Sequence, residues 1–203
     1  MSFLDRLKKS EDNLELGSVS EYYTLSEVET PLPCFRYHPE PLKTGAFNAG
    51  VGEICQCCSR KTNVYYSGPF YSAAEIGFLC PGCIKSGLAS EKLGGEFQDS
   101  ASCDDVSDRE KLIELCTQTP GYCGWQQEYW LAHCDDYCAF LGYVGWDEIE
   151  LMGIEAEIDE DLSENSDYPI SVVKKHLKVN GNMQGYLFRC LKCNKYRLHI
   201  DCD

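Results

Sequence analysis

The 203-residue chain carries 33 Asp and Glu against 18 Lys and Arg, a formal net charge of −15, and 14 cysteines. A surface this acidic repels phosphate backbones, which argues against direct nucleic-acid binding and favours a cationic partner. No run of about 18 apolar residues occurs, so no membrane span is expected, and the charged opening around Asp5, Arg6, Lys8 and Lys9 lacks the apolar stretch of a signal peptide.

In chain order, residues 1–33 read as an appendage: an amphipathic helix over Phe3, Leu4 and Leu7, then a polar, acidic stretch closed by Pro31 and Pro33. Residues 34–103 read as a zinc-ribbon or treble-clef-like unit. Phe35–Pro39 is extended, with turns at Pro41 and Gly45. Thr62–Tyr66 is a strand of β-formers, Gly68-Pro69 a bend, and Phe70-Tyr71 a resumed strand. Ile84–Leu93 is expected to be a short helix ending at Gly94-Gly95.

Residues 104–203 read as an α+β unit, and 34–203 can pack as one domain. Ser107-x2-Glu110 is a capping box for a helix through Leu112, Leu115 and Cys116, stopped by Pro120-Gly121. A second helix is expected over Trp125–Leu131 and a strand over Cys138–Val144. A third helix carries Leu151, Ile154 and Ile158 on one face, and a fourth opens at Pro169 with Val172, Val173 and Leu177. Asn180-Gly181 is a turn. Tyr186–Arg189 and Tyr196–Ile200 are strands flanking a further cysteine pair.

The cysteine spacing carries the chemistry. Cys55-x2-Cys58 and Cys80-x2-Cys83 are separated by 21 residues, close to the ribbon spacing in which two thiolate pairs close a tetrahedron around zinc. The x2 spacing favours Cys55 over the neighbouring Cys57. Cys80-Pro81-Gly82-Cys83 also has dithiol spacing, but a redox pair needs no second pair nearby, so metal is preferred. Cys190-x2-Cys193 needs two further ligands, for which Cys134 and Cys138 are chosen with His133 as the alternative. Two structural Zn2+ sites follow, in a reducing cytoplasm where such pairs bind metal rather than form disulfides. A metal-dependent enzyme would instead leave an open position near His133 with Glu128 as acid or base. No HExxH, GxSxG, P-loop or zinc-deaminase pattern supports that alternative. His38, His176 and His199 read as surface or hydrogen-bonded histidines, and the three tryptophans as packing residues.

Between Trp146 and Asp167 stand ten acidic residues and no basic one. Of these, Glu148, Glu150, Glu155, Glu157, Asp159, Glu160 and Asp161 form the candidate landing surface for a basic protein. A solvated helix face is the competing reading.

Three blocks carry a resemblance. Phe35-Arg36-Tyr37-His38-Pro39-Glu40-Pro41-Leu42 with Thr44-Gly45 is similar to the opening signature of the CbrC family of bacterial proteins. Thr119-Pro120-Gly121-Tyr122 with Trp125-Gln126-Gln127, then Trp130, His133-Cys134, Asp136 and Cys138-Ala139-Phe140-Leu141-Gly142, resemble its central block. Tyr186-Leu187-Phe188-Arg189-Cys190, Cys193 and Tyr196-Arg197-Leu198 resemble its last block. The resemblance covers residues 33–203, with Asn194 standing where glycine is expected. It implies a role like that of the family's namesake, which is associated with tolerance to a nuclease colicin. The expectation is a non-catalytic immunity or tolerance factor that neutralises a basic toxin domain. A regulatory interaction module is a further alternative.

Overall fold

The computed structural model describes residues 32–202, so the expected appendage and its amphipathic helix lie almost wholly outside the described residues. The fold is α+β, built on small antiparallel sheets. Strands β1 (Phe47–Ile54) and β2 (Lys61–Tyr66) form a hairpin with an irregularity between Ala49 and Glu53. The glycine-rich β1 has little β propensity, and its pairing with the β-branched and aromatic β2 makes it a strand. Two-residue strands β3 (Tyr71–Ser72) and β4 (Gly95–Glu96) pair with each other.

The helix expected over Ile84–Leu93 is two helices, α1 (Pro81–Lys85) and α2 (Leu88–Leu93). Gly87 between them sits at φ 74°, a left-handed conformation that breaks an α-helix and that glycine adopts without steric penalty. Helix α3 (Arg109–Gln118) is capped by Asp108, whose side chain accepts from the Glu110 amide; Ser107 does not cap it. Instead the Ser107 amide and hydroxyl both donate to Asp135.

Strands β5 (Ala139–Val144), β6 (Met183–Arg189) and β7 (Tyr196–Cys202) form a three-stranded sheet in that order. Alternation along β6 sends Tyr186 and Phe188 into an aromatic core with Tyr37, Tyr122, Trp130 and Phe140, and Met183 and Leu187 into a second core beneath the helices. Those helices are α4 (Trp146–Met152), α5 (Glu155–Asn165) and α6 (Ile170–His176). The single helix expected through Leu151, Ile154 and Ile158 is broken by Gly153 at φ 68°. Leu151 is exposed while Ile154 and Ile158 are buried. Pro169 sits immediately before α6, and its carbonyl accepts from the Val173 amide.

No helix forms over Trp125–Leu131. Its amides are taken by distant side chains. Trp125 N donates to Tyr186 Oη at 3.0 Å, Gln126 N to Asp201 Oδ2 at 2.7 Å, and Tyr129 N to Tyr122 Oη at 3.0 Å. Each such bond stands in place of a helical one, and together they hold the segment as a non-helical bend. A third core, with Phe35, Phe47, Tyr66, Leu79, Ile84 and Phe97, lies around the β1–β2 hairpin. Among the described residues no helix is long and apolar enough to cross a membrane.

Candidate metal centres

Cys55 and Cys58 stand in the turn between β1 and β2. Cys80 precedes α1, and Cys83 lies in its first turn. Their four sulfurs fall within 4.8 Å of one another, with Cys58 Sγ and Cys80 Sγ 3.9 Å apart. A tetrahedron with Zn–S bonds of about 2.3 Å has an S···S edge of about 3.8 Å, so the donor set and spacing suit a closed thiolate shell. The turn is built for this: Cys55 N donates to Arg60 O at 2.9 Å, Ser59 N to Cys55 O at 2.7 Å, and Ser59 takes φ 59° to close it. Cys80 N points at Cys55 Sγ, 3.2 Å away. Cys57 is buried in the adjoining core, outside the four atoms.

The second knuckle repeats this geometry. Cys190 N donates to Lys195 O at 2.8 Å, Asn194 N to Cys190 O at 3.1 Å, and Asn194 adopts φ 63°. Asparagine tolerates the left-handed region, which explains how the tight turn forms without the glycine expected at that place. The partner residues come from a two-residue turn. His133 N donates to Asp136 O at 2.9 Å, Ala132 bridges Tyr137, and Cys134 and Asp135 at its tip have φ 55° and 54°. Two consecutive left-handed residues make a type I′ turn, normally a place for Asn-Gly. His133 Nδ1 lies 3.2 Å from both Cys134 Sγ and Cys193 Sγ, and His133, Cys134, Cys190 and Cys193 form the second quartet within 4.8 Å.

Cys138, preferred over His133 on spacing, is outside this quartet. It is fully buried in the aromatic core, its amide bonded to Leu131 O and its carbonyl to Trp130 Nε1. The hairpin turn sets the reason: the strand leaving Tyr137 carries Cys138 into the sheet layer, while His133 stays at the tip.

Electrostatics divides the thiols within each quartet. Burial pushes the Cys190 thiol up, but amide donors from Cys193 and Lys192, with further side-chain bonds, outweigh it and bring the thiol down to about 6. Cys58 likewise falls to about 6, burial being outweighed by the Arg60 amide and guanidinium. Cys134 rises to about 11, first through its bond to the Cys193 thiol, and burial raises Cys83 well above the usual range. Each quartet thus holds one thiol with a lowered pKa, and metal binding takes its cysteine ligands as thiolates.

Glu128 does not face the second quartet. Its carboxylate accepts from Gly124 N at 3.0 Å and from the Tyr71 hydroxyl. The candidate acidic surface also separates into distinct roles. Glu148 is buried as the capping partner of Gly145 N, and Asp161 is buried, bonded to Arg197 Nε at 3.0 Å and Leu198 N at 2.8 Å. Both carboxylates are engaged inside the fold by these bonds. Glu150 accepts from Trp146 Nε1, Asp159 pairs with Lys174, and Glu160 pairs with Lys195. Glu157 accepts from Tyr196 N, and Glu155 is half-buried. Sequence reasoning missed Arg197, which joins Asp161 on α5 to Asp104 and the Ala132 carbonyl beside His133.

Residues 32–202 match the model of a family described as uncharacterised protein family UPF0167. A UPF0167 protein of Pseudomonas aeruginosa is 38% identical over 184 residues, covering 87% of this chain and 99% of its own. UPF0167 proteins of Mycobacterium bovis and Mycobacterium tuberculosis are each 36% identical over 185 residues, 87% of this chain and 98% of theirs. No solved structure matches the chain.

Proposed function

We propose that this chain, which belongs to the UPF0167 family, is a zinc-held, non-catalytic binding protein whose acidic surface takes a basic protein domain. The observation that carries the reading is the pair of four-ligand clusters. Each supplies a full tetrahedral shell, which leaves no coordination position for water or substrate and so suits a structural role. The thiolate-rich donors favour zinc over harder divalent ions. The exposed carboxylates of the run are Asp147, Glu150, Glu157, Glu160, Glu164 and Asp167, and such a surface speeds and orients association with a cation-rich partner.

The resemblance of the three sequence blocks to the CbrC family supplies the partner class, a nuclease toxin domain, basic because it binds nucleic acid. A cytoplasmic setting agrees with 14 cysteines that form no disulfide. The test has two arms. Elemental analysis of the purified full chain is expected to give two zinc ions per molecule. A colicin-type nuclease domain is expected to bind at low salt, to dissociate as salt rises, and to bind more weakly to the Glu150→Lys/Asp147→Lys variant. Absence of zinc would overturn the metal reading, and absence of binding at low salt the toxin reading.

A further inference from the structure

The two clusters differ in ways that bear on metal exchange. In the first, Cys55 and Cys83 are buried, Cys58 and Cys80 are half-buried, and the site adjoins an apolar core. In the second only Cys190 is buried. His133 is half-buried, and Cys134 and Cys193 are exposed. Cys134 also holds a left-handed backbone conformation that non-glycine residues rarely adopt. Ligand replacement at a zinc–thiolate centre requires an entering group to reach the metal, so the shell around a site governs its access.

A cleft of about 150 Å³ opens beside His133, and it is lined by Glu157, Glu160, Asp161, Glu164, Lys195 and Arg197 among others. Asp161 and Arg197 are spent on each other, and Lys195 on Glu160. Glu157, Glu160 and Glu164 follow i, i+3, i+7 spacing, so they share one flank of α5, the flank turned to this cleft. Cations stand at both clusters, the Arg60 guanidinium on Cys58 and Lys92 on the Cys57 carbonyl at the first, and Lys192 on the Cys134 carbonyl at 2.7 Å at the second; the carboxylate flank of α5 lies beside the second.

We propose that the second centre is an exchangeable metal site, filled and emptied while the first stays loaded, and that this flank of α5 is the cation-attracting mouth that feeds it. The inference rests on the zinc reading above and assigns part of the acidic run to metal capture. The cleft beside His133 presents Glu157 and Glu164 together with Glu160, which is paired with Lys195, and its acidic residues outnumber its basic ones, so entry brings a positive charge into a net negative field. The exposed Cys134 and Cys193 are the ligands a chelator or an acceptor protein would displace first.

The experiment uses the zinc-loaded full chain mixed with excess chromogenic chelator, followed by absorbance. Two zinc ions are expected to leave in two phases, one equivalent at least ~10-fold faster than the other, as access to the metal is governed by its shell. Cys193→Ser is expected to remove the fast phase and leave the slow one. Glu157→Gln/Glu160→Gln/Glu164→Gln, a surface change that keeps every metal ligand, is expected to retain two zinc ions. It should slow reloading of the fast site by about 10-fold at low salt, the difference vanishing near ~1 M salt, where charges are screened within about 3 Å. Two bound zinc ions leaving in one phase, a fast phase that survives in Cys193→Ser, or reloading unchanged in the triple variant would overturn the inference alone. A chain that binds no zinc would overturn the function reading beneath it.

Discussion

His38 gives the structure a sharp pH signature. Its ring is fully buried against Phe140 and Trp130, with Nδ1 2.8 Å from the Pro120 carbonyl and Nε2 2.6 Å from Thr44 Oγ1. A carbonyl can only accept, so Nδ1 carries the proton and Nε2 accepts from the threonine hydroxyl in the neutral ring. Burial drives the imidazole down from 6.5 to about 4, the Pro120 bond opposing it. The sign follows from linkage: as pH falls from 6.5 towards 4 the unfolded chain takes up a proton that the folded chain refuses, so stability is lost across that window. Between pH 7 and pH 4.5 the loss from this one residue amounts to about 2.5 kcal/mol. His38→Phe keeps an aromatic ring but cannot titrate and leaves Pro120 O without its donor, while the Thr44 hydroxyl can turn to Pro41 O at 3.2 Å, which costs about 1–3 kcal/mol at pH 7. Urea unfolding of both proteins with zinc present should show that deficit narrowing by about 2.5 kcal/mol at pH 4.5, all other titrations cancelling in the difference. An identical pH slope in the two proteins, or an NMR titration of His38 near 6.5, would refute the reasoning.

Cys138→Ala should keep the full zinc content by elemental analysis and cost only about 1 kcal/mol for the small cavity, whereas Cys190→Ala should lose one equivalent; zinc loss in Cys138→Ala would displace His133 from the quartet. Arg197→Met should take from Asp104 and Asp161 their only charge partner among the described residues, and from the Ala132 carbonyl its guanidinium donor. Asp104 keeps its bonds from Tyr129 Oη and Ala132 N, and Asp161 those from Leu198 N and Asn165 Nδ2. A destabilisation of about 3–5 kcal/mol by urea unfolding is expected, and Arg197→Lys should recover only part of it because an ammonium cannot reproduce the guanidinium fork. A cost under ~1 kcal/mol for Arg197→Met would mean that α5 is not fastened to the sheet through this residue.

The two CxxC knuckles and the β5–β6–β7 sheet were legible because their signals are local. A knuckle needs its two thiols two residues apart, and the strands that carry Tyr186–Arg189 and Tyr196–Ile200 are dense in β-formers on either side of a turn. Less was legible where a choice depended on distant chain. Residues 125–131 have a helix-compatible composition, yet Tyr122, Tyr186 and Asp201 claim their amides. The acidic run looks uniform in sequence, while folding buries Glu148 and Asp161, turns Glu157, Glu160 and Glu164 towards the second centre, and ties Asp159 to α6.

The sequence by itself determined that this is an α+β protein with thiolate quartets in its reach and a strong negative charge, because spacing, composition and β propensity are properties of neighbouring residues. Only the tertiary structure decided that His133 rather than Cys138 completes the second quartet, and that one of two similar clusters lies open beside an acidic flank. The physical reason is directional. A type I′ turn at Cys134-Asp135 and the packing of α5 on β7 set which way each side chain points, and neither direction is encoded in the distance along the chain.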